Sequence, residues 1–369
     1  MTGTEEIDTV VIGGGQAGLC VGYHLAKAGR PFVILDAGSR TGDAWRQRWD
    51  SLRLFTPARF DALPGLPFPA RGGAAVSKDA MADYLEGYAE RFALPVRHGV
   101  KVSRLSRHRG GFLVSAGDVR IQAANVVVAM ANSQQPWIPP FAAELDPSIT
   151  ALHSKDYRNP AQLRPGRVLV VGAGNSGGEI ALELARTHST LLAGKETGSV
   201  PFRIDTFVAR HLLVRLVRFV GHHVLCVRTP MGRKARPAML TRAVPLVRVK
   251  PADLLAAGVE RVGRVTGVQQ GLPVVDGQPV EVDTIVWCTG YRPGFSWIDL
   301  PILGDRQEPA HAGGIVASEP GLYFVGLHFL YSVTSEAVTG VDRDARRVVR
   351  HLLARAATET PAPAAAAVS

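Results

Sequence analysis

The chain has 369 residues, 46% hydrophobic and 20% charged, the balance of a globular protein long enough for two ordinary domains. It has no run of about 18 uncharged apolar residues, which argues against a membrane-spanning helix, and its acidic lead, MTGTEEID, meets a Gly-rich loop with no secretory signal between them. The net charge of +10 is local in origin: residues 203–250 carry eleven Lys/Arg and one acid, Asp205. Cys20, Cys226 and Cys288 have neither C-x-x-C nor zinc-ligand spacing. That pattern suits a reducing, cytoplasmic setting and argues against thioredoxin-reductase-type disulfide chemistry.

The first predicted unit is DTVVIGGGQAGLCVGYHLAKAGRPFVILD. An apolar strand at 10–12 enters Gly13-x-Gly15-x-x-Gly18, a helix follows, Gly29 closes it, and a second strand ends at Asp36. Gly13 allows a tight turn. Gly15 lets a pyrophosphate approach the backbone, and Gly18 lets helix and strand pack closely. The pyrophosphate then faces the positive end of the helix, and Asp36 is placed to accept ribose hydroxyls. The whole strand–loop–helix–strand–acid pattern is far more specific than the glycines alone.

A further apolar strand follows in AANVVVAMAN (123–132). The strand at 168–171 then enters another loop, Gly172-x-Gly174-x-x-Gly177, with a helix and a strand at 190–193 after it. Asp36 lies 23 residues after Gly13, and Lys195 lies 23 residues after Gly172. The positions are equivalent and the charge is inverted. A ribose 2′-phosphate is repelled by a carboxylate and attracted by an ammonium group. FAD has a free 2′-hydroxyl and NADPH carries the phosphate, so the pair reads as an FAD site followed by an NADPH site. The plain alternative is a solvated Lys195.

The segment 206–227, TFVARHLLVRLVRFVGHHVLCV, spaces Arg210, Arg215 and Arg218 roughly by helical turns among apolar residues and reads as an amphipathic helix. It could lie on anionic lipid as a peripheral membrane contact, cover the active site, form a dimer contact, or pack on its own domain with a solvated basic face. Aromatic interleaving is too sparse for nucleic acid. VDTIVWCTGYRP (282–293) resembles the 123–132 strand, as expected where two strands cross between nucleotide domains. The expected fold class is α/β. It has two Rossmann-type dinucleotide-binding domains, with the NADPH domain (158–285) inserted into the FAD domain (1–150 plus 290–355). Residues 356–369, ending PAPAAAAVS, read as a disordered tail.

The two loops and WCTGYRP resemble those of the flavin-containing monooxygenase superfamily. TGDAWR (41–46), SLRLFTPARFDALPGLPFP (51–69) and PGLYFVGLHFLYSVTS (320–335) extend the resemblance over nearly the whole chain, closest to short bacterial members and plant YUCCA-type enzymes. There are departures. Pro147 and Ile149 stand where the family fingerprint has Phe and Gly ahead of His153 and Tyr157. Arg158 follows Tyr157 where Baeyer–Villiger members have Pro, and Phe55 falls at an Asn position of mammalian-type members.

The resemblance implies FAD contacts at Gly13, Gly15, Ala17, Gly18, Asp36, Ala37, Trp45, Arg46, Val102, Ala131 and Gly326. It implies NADPH or interdomain contacts at Gly172, Gly174, Asn175, Ser176, Gly177, Lys195, Thr289, Gly290 and Arg292. Trp45 reads equally as a flavin wall or a core aromatic, and Arg46 as a pyrophosphate partner or a surface ion pair. The implied activity is NADPH-dependent monooxygenation of a small organic substrate by O2 through a flavin C4a-hydroperoxide. The rival is a flavoprotein reductase that inserts no oxygen. No protein nucleophile system has convincing spacing.

Overall fold

The computed structural model describes residues 3–69, 75–241, 244–304 and 307–359. Two parallel-rich sheets organise it. The first runs, edge to edge, through Val96–Arg97, Phe32–Leu35, Glu5–Ile12, Val119–Val128, Gly111–Ala116 and Arg104–His108. Leu322–Phe324 also pairs in parallel with the far end of Val119–Val128. The strand Glu5–Ile12 is central and parallel to both neighbours. Its second half, Thr9 to Ile12, is buried on both faces, which is why it reads as a continuous apolar run.

The second sheet runs Thr150–His153, Thr284–Trp287, Arg167–Val171, Ser189–Ala193 and Glu260–Val262, all parallel. In sequence it lies wholly between strands of the first sheet. The chain leaves after Val119–Val128 and returns at Leu322–Phe324. Where it crosses, Gln135–Pro136 and Tyr291–Arg292 pair antiparallel in a short ribbon. The edge strand Thr150–His153 places the start of the second unit before 158. Its four residues have no glycine punctuation and are recognisable only by their pairing with Thr284–Trp287.

Apolar clusters cover both faces of each sheet. The helices Gln16–Lys27, Lys78–Arg91 and Val338–Glu359 pack one face of the first sheet. The segment Phe295–Leu303 helps to cover the other. The helix Val338–Glu359 runs into the stretch expected as tail from 356, because Val341, Ala345, Val348 and Leu352 anchor it in the core. The remainder of that stretch, 360–369, lies outside the described residues. The basic segment forms one helical rod over 207–224, α-helical at Val214–Phe219 and π-helical at Ala209–Leu213 and Val220–Val224. Among the described residues no helix is long and apolar enough to cross a membrane.

Candidate active site

The two Gly-rich loops share one geometry. Gly13 has φ +109° and Gly172 φ +112°, values that favour glycine. Gly13 N–H donates to Leu35 O at 2.8 Å, and Gly172 N–H to Ala193 O at 2.9 Å. A Cβ at Gly18 would lie 1.8 Å from Gly13 O, and one at Gly177 would lie 1.7 Å from Gly172 O. These third glycines serve packing and do not line the clefts. Gly15 differs: a Cβ there would meet nothing within 4 Å, so the space over it is open to a ligand. The helices behind the loops, Gln16–Lys27 and Asn175–Leu184, carry no acid in their first turns and no side-chain cap. Their free N–H groups suit an anion.

The first cleft, about 530 Å³, is lined by Gly13, Gly15, Ala17, Asp36, Ala37, Val102, Ala131 and Gly326. Asp36 accepts the N–H groups of Gly14 and Gly38, which fix its carboxylate at the end of the strand. Trp45 sits beside this cleft, its indole N–H 3.4 Å from the Gln16 amide oxygen, and packs on the core. Arg46 does not reach the cleft. Its guanidinium lies 2.9 Å from Asp83, 3.0 Å from Glu86 and 3.6 Å from Asp43. Of its two expected readings, the ion-pair one describes the geometry. The arginine that lines the cleft is Arg48, two residues on. The sequence carried that signal, since TGDAWRQR offers two cations. Only the carboxylates brought by the helix Lys78–Arg91 decide between them.

The second cleft, about 1140 Å³, is lined by Gly172, Gly174, Asn175, Ser176, Lys195, Thr289 and Gly290. Asn175 accepts Val247 N–H at 2.9 Å and donates to Pro245 O at 3.1 Å, tying the chain after 244 to the helix start. Lys195 and Glu196 stand side by side on the rim, both exposed. Arg264, which sequence reasoning missed, lines the same cleft after the strand Glu260–Val262. No local motif marks it. Arg203 is held by Asp253 at 2.5 Å. Arg292 lies outside the cleft lining, its guanidinium 5.5 Å from the Trp137 ring centroid.

Arg48 joins the clefts, donating to the Tyr291 hydroxyl at 3.1 Å, and Tyr291 lines the second cleft. His153 lies edge-on to Tyr291, 5.1 Å between ring centroids. Its Nε2–H donates to Gly290 O at 3.1 Å while Nδ1 accepts Lys155 N–H. Burial lowers its pKa, and both ring nitrogens are engaged. Burial also pushes the Cys288 thiol up to about 12, which leaves it inert near neutrality. Among the described residues no His, Cys, Asp and Glu cluster could hold a metal.

Glu179, on the helix behind the second loop, titrates near neutrality. Burial pushes its carboxyl up to about 7, while Arg248 pulls it down and Glu183 adds to the rise. Arg248 Nε is 3.8 Å away, and Glu179 Oε1 accepts no hydrogen bond among the described residues. A folded-state pKa above the unfolded 4.5 gives stability that is full below about pH 4.5 and is lost as pH rises to about 7. Glu179→Gln is therefore expected to flatten that part of the stability profile. Relative to wild type it should gain about 2–3 kcal/mol between pH 5 and pH 8. Thermal unfolding of both proteins at the two pH values checks this, and parallel profiles would refute it.

Residues 10–199 match the family model of the pyridine nucleotide-disulphide oxidoreductases. An uncharacterised CzcO-like oxidoreductase of Geobacillus kaustophilus is 35% identical, covering 94% of this chain and 98% of that one. The rice indole-3-pyruvate monooxygenase YUCCA1 is 31% identical, covering 93% and 90%. A flavin-containing monooxygenase of Stenotrophomonas maltophilia superposes with a TM-score of 0.72 at 29% identity, over 96% of this chain and all of that one. With two glycine-loop clefts of matched geometry and relatives spanning its length, the chain belongs to the pyridine nucleotide-disulphide oxidoreductase family and, within it, to the flavin-containing monooxygenases.

Proposed function

We propose that the protein is an FAD-dependent, NADPH-consuming monooxygenase that transfers one oxygen atom of O2 to a nitrogen, sulfur or activated carbon of a small organic substrate. The observation that carries the assignment of cofactors to clefts is the charge inversion. Asp36 ends one dinucleotide unit and Lys195 ends the other, at the same distance from equivalent glycines. FAD, when bound and reduced, supplies the electron transfer and oxygen activation.

The chain's own residues bind and orient. Gly15 leaves the pyrophosphate its cradle, and the helix Gln16–Lys27 presents free N–H groups to it. Asp36, with one lone pair on each oxygen held by backbone N–H groups, keeps others for the ribose hydroxyls. Ala17, Ala37, Val102, Ala131 and Gly326 wall the cleft with small or apolar side chains. Lys195 and Arg264, which line the second cleft, would hold the 2′-phosphate of NADPH, while Gly174 and Ser176, at the helix start, would take its pyrophosphate. Arg48 and Tyr291 hold the two clefts in register where the ribbon crosses. No side chain needs to act as a nucleophile, and the neutral, doubly engaged His153 suits a hinge better than a proton donor.

The test is rapid mixing of the NADPH-reduced protein with oxygenated buffer. A spectrum distinct from both reduced and oxidised flavin, outlasting the mixing time and discharged faster by substrate, is expected. Immediate return to oxidised flavin with stoichiometric hydrogen peroxide would replace oxygen insertion with a reductase or oxidase activity.

A further inference from the structure

The helical rod at 207–224 exposes apolar side chains that no other part of the described chain covers. Phe207 is 75% exposed, Val208 58%, Leu212 63%, Leu216 57% and Phe219 58%. Single exposed apolar residues are ordinary. Six on one short rod, counting Val217 at 53%, form a patch. Val208, Leu212 and Leu216 recur every fourth residue, so they line one stripe. The exposed His211 and Arg215 run beside it. Arg228, Arg233 and Lys234 on the following segment are also exposed. Between Asp205 and Asp253 there is no acidic residue at all. Among the described residues, no Arg or Lys from 210 to 236 takes part in an ion pair.

The opposite side of the rod is clamped down. Ala209, Val214 and Gly221 are buried. The Arg218 guanidinium lies 5.2 Å from the Phe60 ring centroid, and Arg343 donates to His222 O at 2.6 Å. Thr334 and the His222 ring share a hydrogen bond of 3.0 Å. The rod is thus seated on the first unit by one face, with the apolar stripe and its cations turned outward.

We propose that this face docks on an anionic phospholipid surface. Apolar side chains of this size insert at the headgroup boundary when a helix lies in the interface plane, and flanking cations meet the lipid phosphates. Charge decides among occupants. A second copy docking by the same patch would bring two all-cationic surfaces together with no acid to offset them, which costs energy. A nucleic acid would match the charge and leave Leu212, Leu216 and Phe207 without an apolar environment.

Flotation of the flavin-loaded protein with phosphatidylcholine vesicles, with and without phosphatidylglycerol, tests this. Binding is expected only with phosphatidylglycerol and only at low salt, because surface attraction is screened. Leu212→Asp with Leu216→Asp should lower partitioning more than tenfold. Arg215→Glu with Arg233→Glu and Lys234→Glu should lower it about a hundredfold. Flavin content and far-ultraviolet dichroism separate these effects from misfolding. Phe219→Trp, in an otherwise intact protein, should shift its emission to the blue on anionic vesicles alone. The proposal is overturned by absence of binding at low salt, or by equal binding to neutral vesicles. It is also overturned if the leucine variant halves the particle mass in light scattering, or if wild type prefers duplex DNA to vesicles and keeps that preference without the two leucines.

Discussion

Replacing Gly15 by valine is expected to give a folded protein that purifies without flavin. Gly15 has φ −80° and ψ −170°, extended backbone that a β-branched residue adopts readily. A Cβ there meets nothing within 4 Å, so the protein alone does not resist the substitution. The valine methyls would instead fill the space a pyrophosphate needs at the mouth of the helix Gln16–Lys27. A loss of at least about a hundredfold in FAD affinity, roughly 2.7 kcal/mol, is expected. Gly18→Ala supplies the contrast. Its Cβ would lie 1.8 Å from Gly13 O, a backbone atom that cannot move aside, so that variant should lose fold and flavin together. The measurements are flavin-to-protein ratio and thermal unfolding. A fully yellow Gly15→Val protein would end the assignment of FAD to this cleft.

The second large effect is on nicotinamide cofactor preference. Lys195→Ala should lower the kcat/KM ratio of NADPH to NADH by roughly ten- to a hundredfold. A charge-assisted contact to the 2′-phosphate contributes about 1.5–3 kcal/mol, and about 1.4 kcal/mol is tenfold. Lys195 is exposed, which favours the lower end. Lys195→Asp should go further, because its carboxylate repels the phosphate and accepts the ribose hydroxyls of NADH. Arg264 lines the same cleft with no ion-pair partner among the described residues, so Arg264→Ala should add to the loss. Glu196, adjacent on the rim, opposes the phosphate, and Glu196→Gln should move the ratio the other way. Steady-state kinetics with both cofactors across the four variants decides. A ratio that stays put in both Lys195 variants would leave Arg264 as the reader of the phosphate, and one indifferent to all four would leave the cleft without discrimination.

The two dinucleotide units were legible in sequence because their demands are local. A positive φ at Gly13 and Gly172, and the contacts of Gly18 and Gly177 with the carbonyls five residues earlier, are set within one strand–turn–helix. The counting that equates Asp36 with Lys195 works for the same reason. The amphipathic character of the 206–227 stretch was legible too, since periodicity belongs to the helix itself. Its outward face was not. Which side is buried depends on Phe60, Thr334 and Arg343, which are remote in sequence.

By itself the sequence determined an α/β chain with two nucleotide units in a set order, opposite charges at their ends, and no thiol pair. These follow from backbone geometry, hydropathic period and residue spacing, none of which needs a distant partner. Only the tertiary structure decided the rest. Asp83 and Glu86 capture Arg46 and leave Arg48 to the cleft. The strand Glu260–Val262, joining the sheet beside Ser189–Ala193, delivers Arg264 to the rim where Lys195 stands. The strand Thr150–His153 belongs to the second unit because Thr284–Trp287 pairs with it. Each turns on which remote carboxylate or strand arrives to satisfy a charge or a backbone edge, and that is settled by how the whole chain packs.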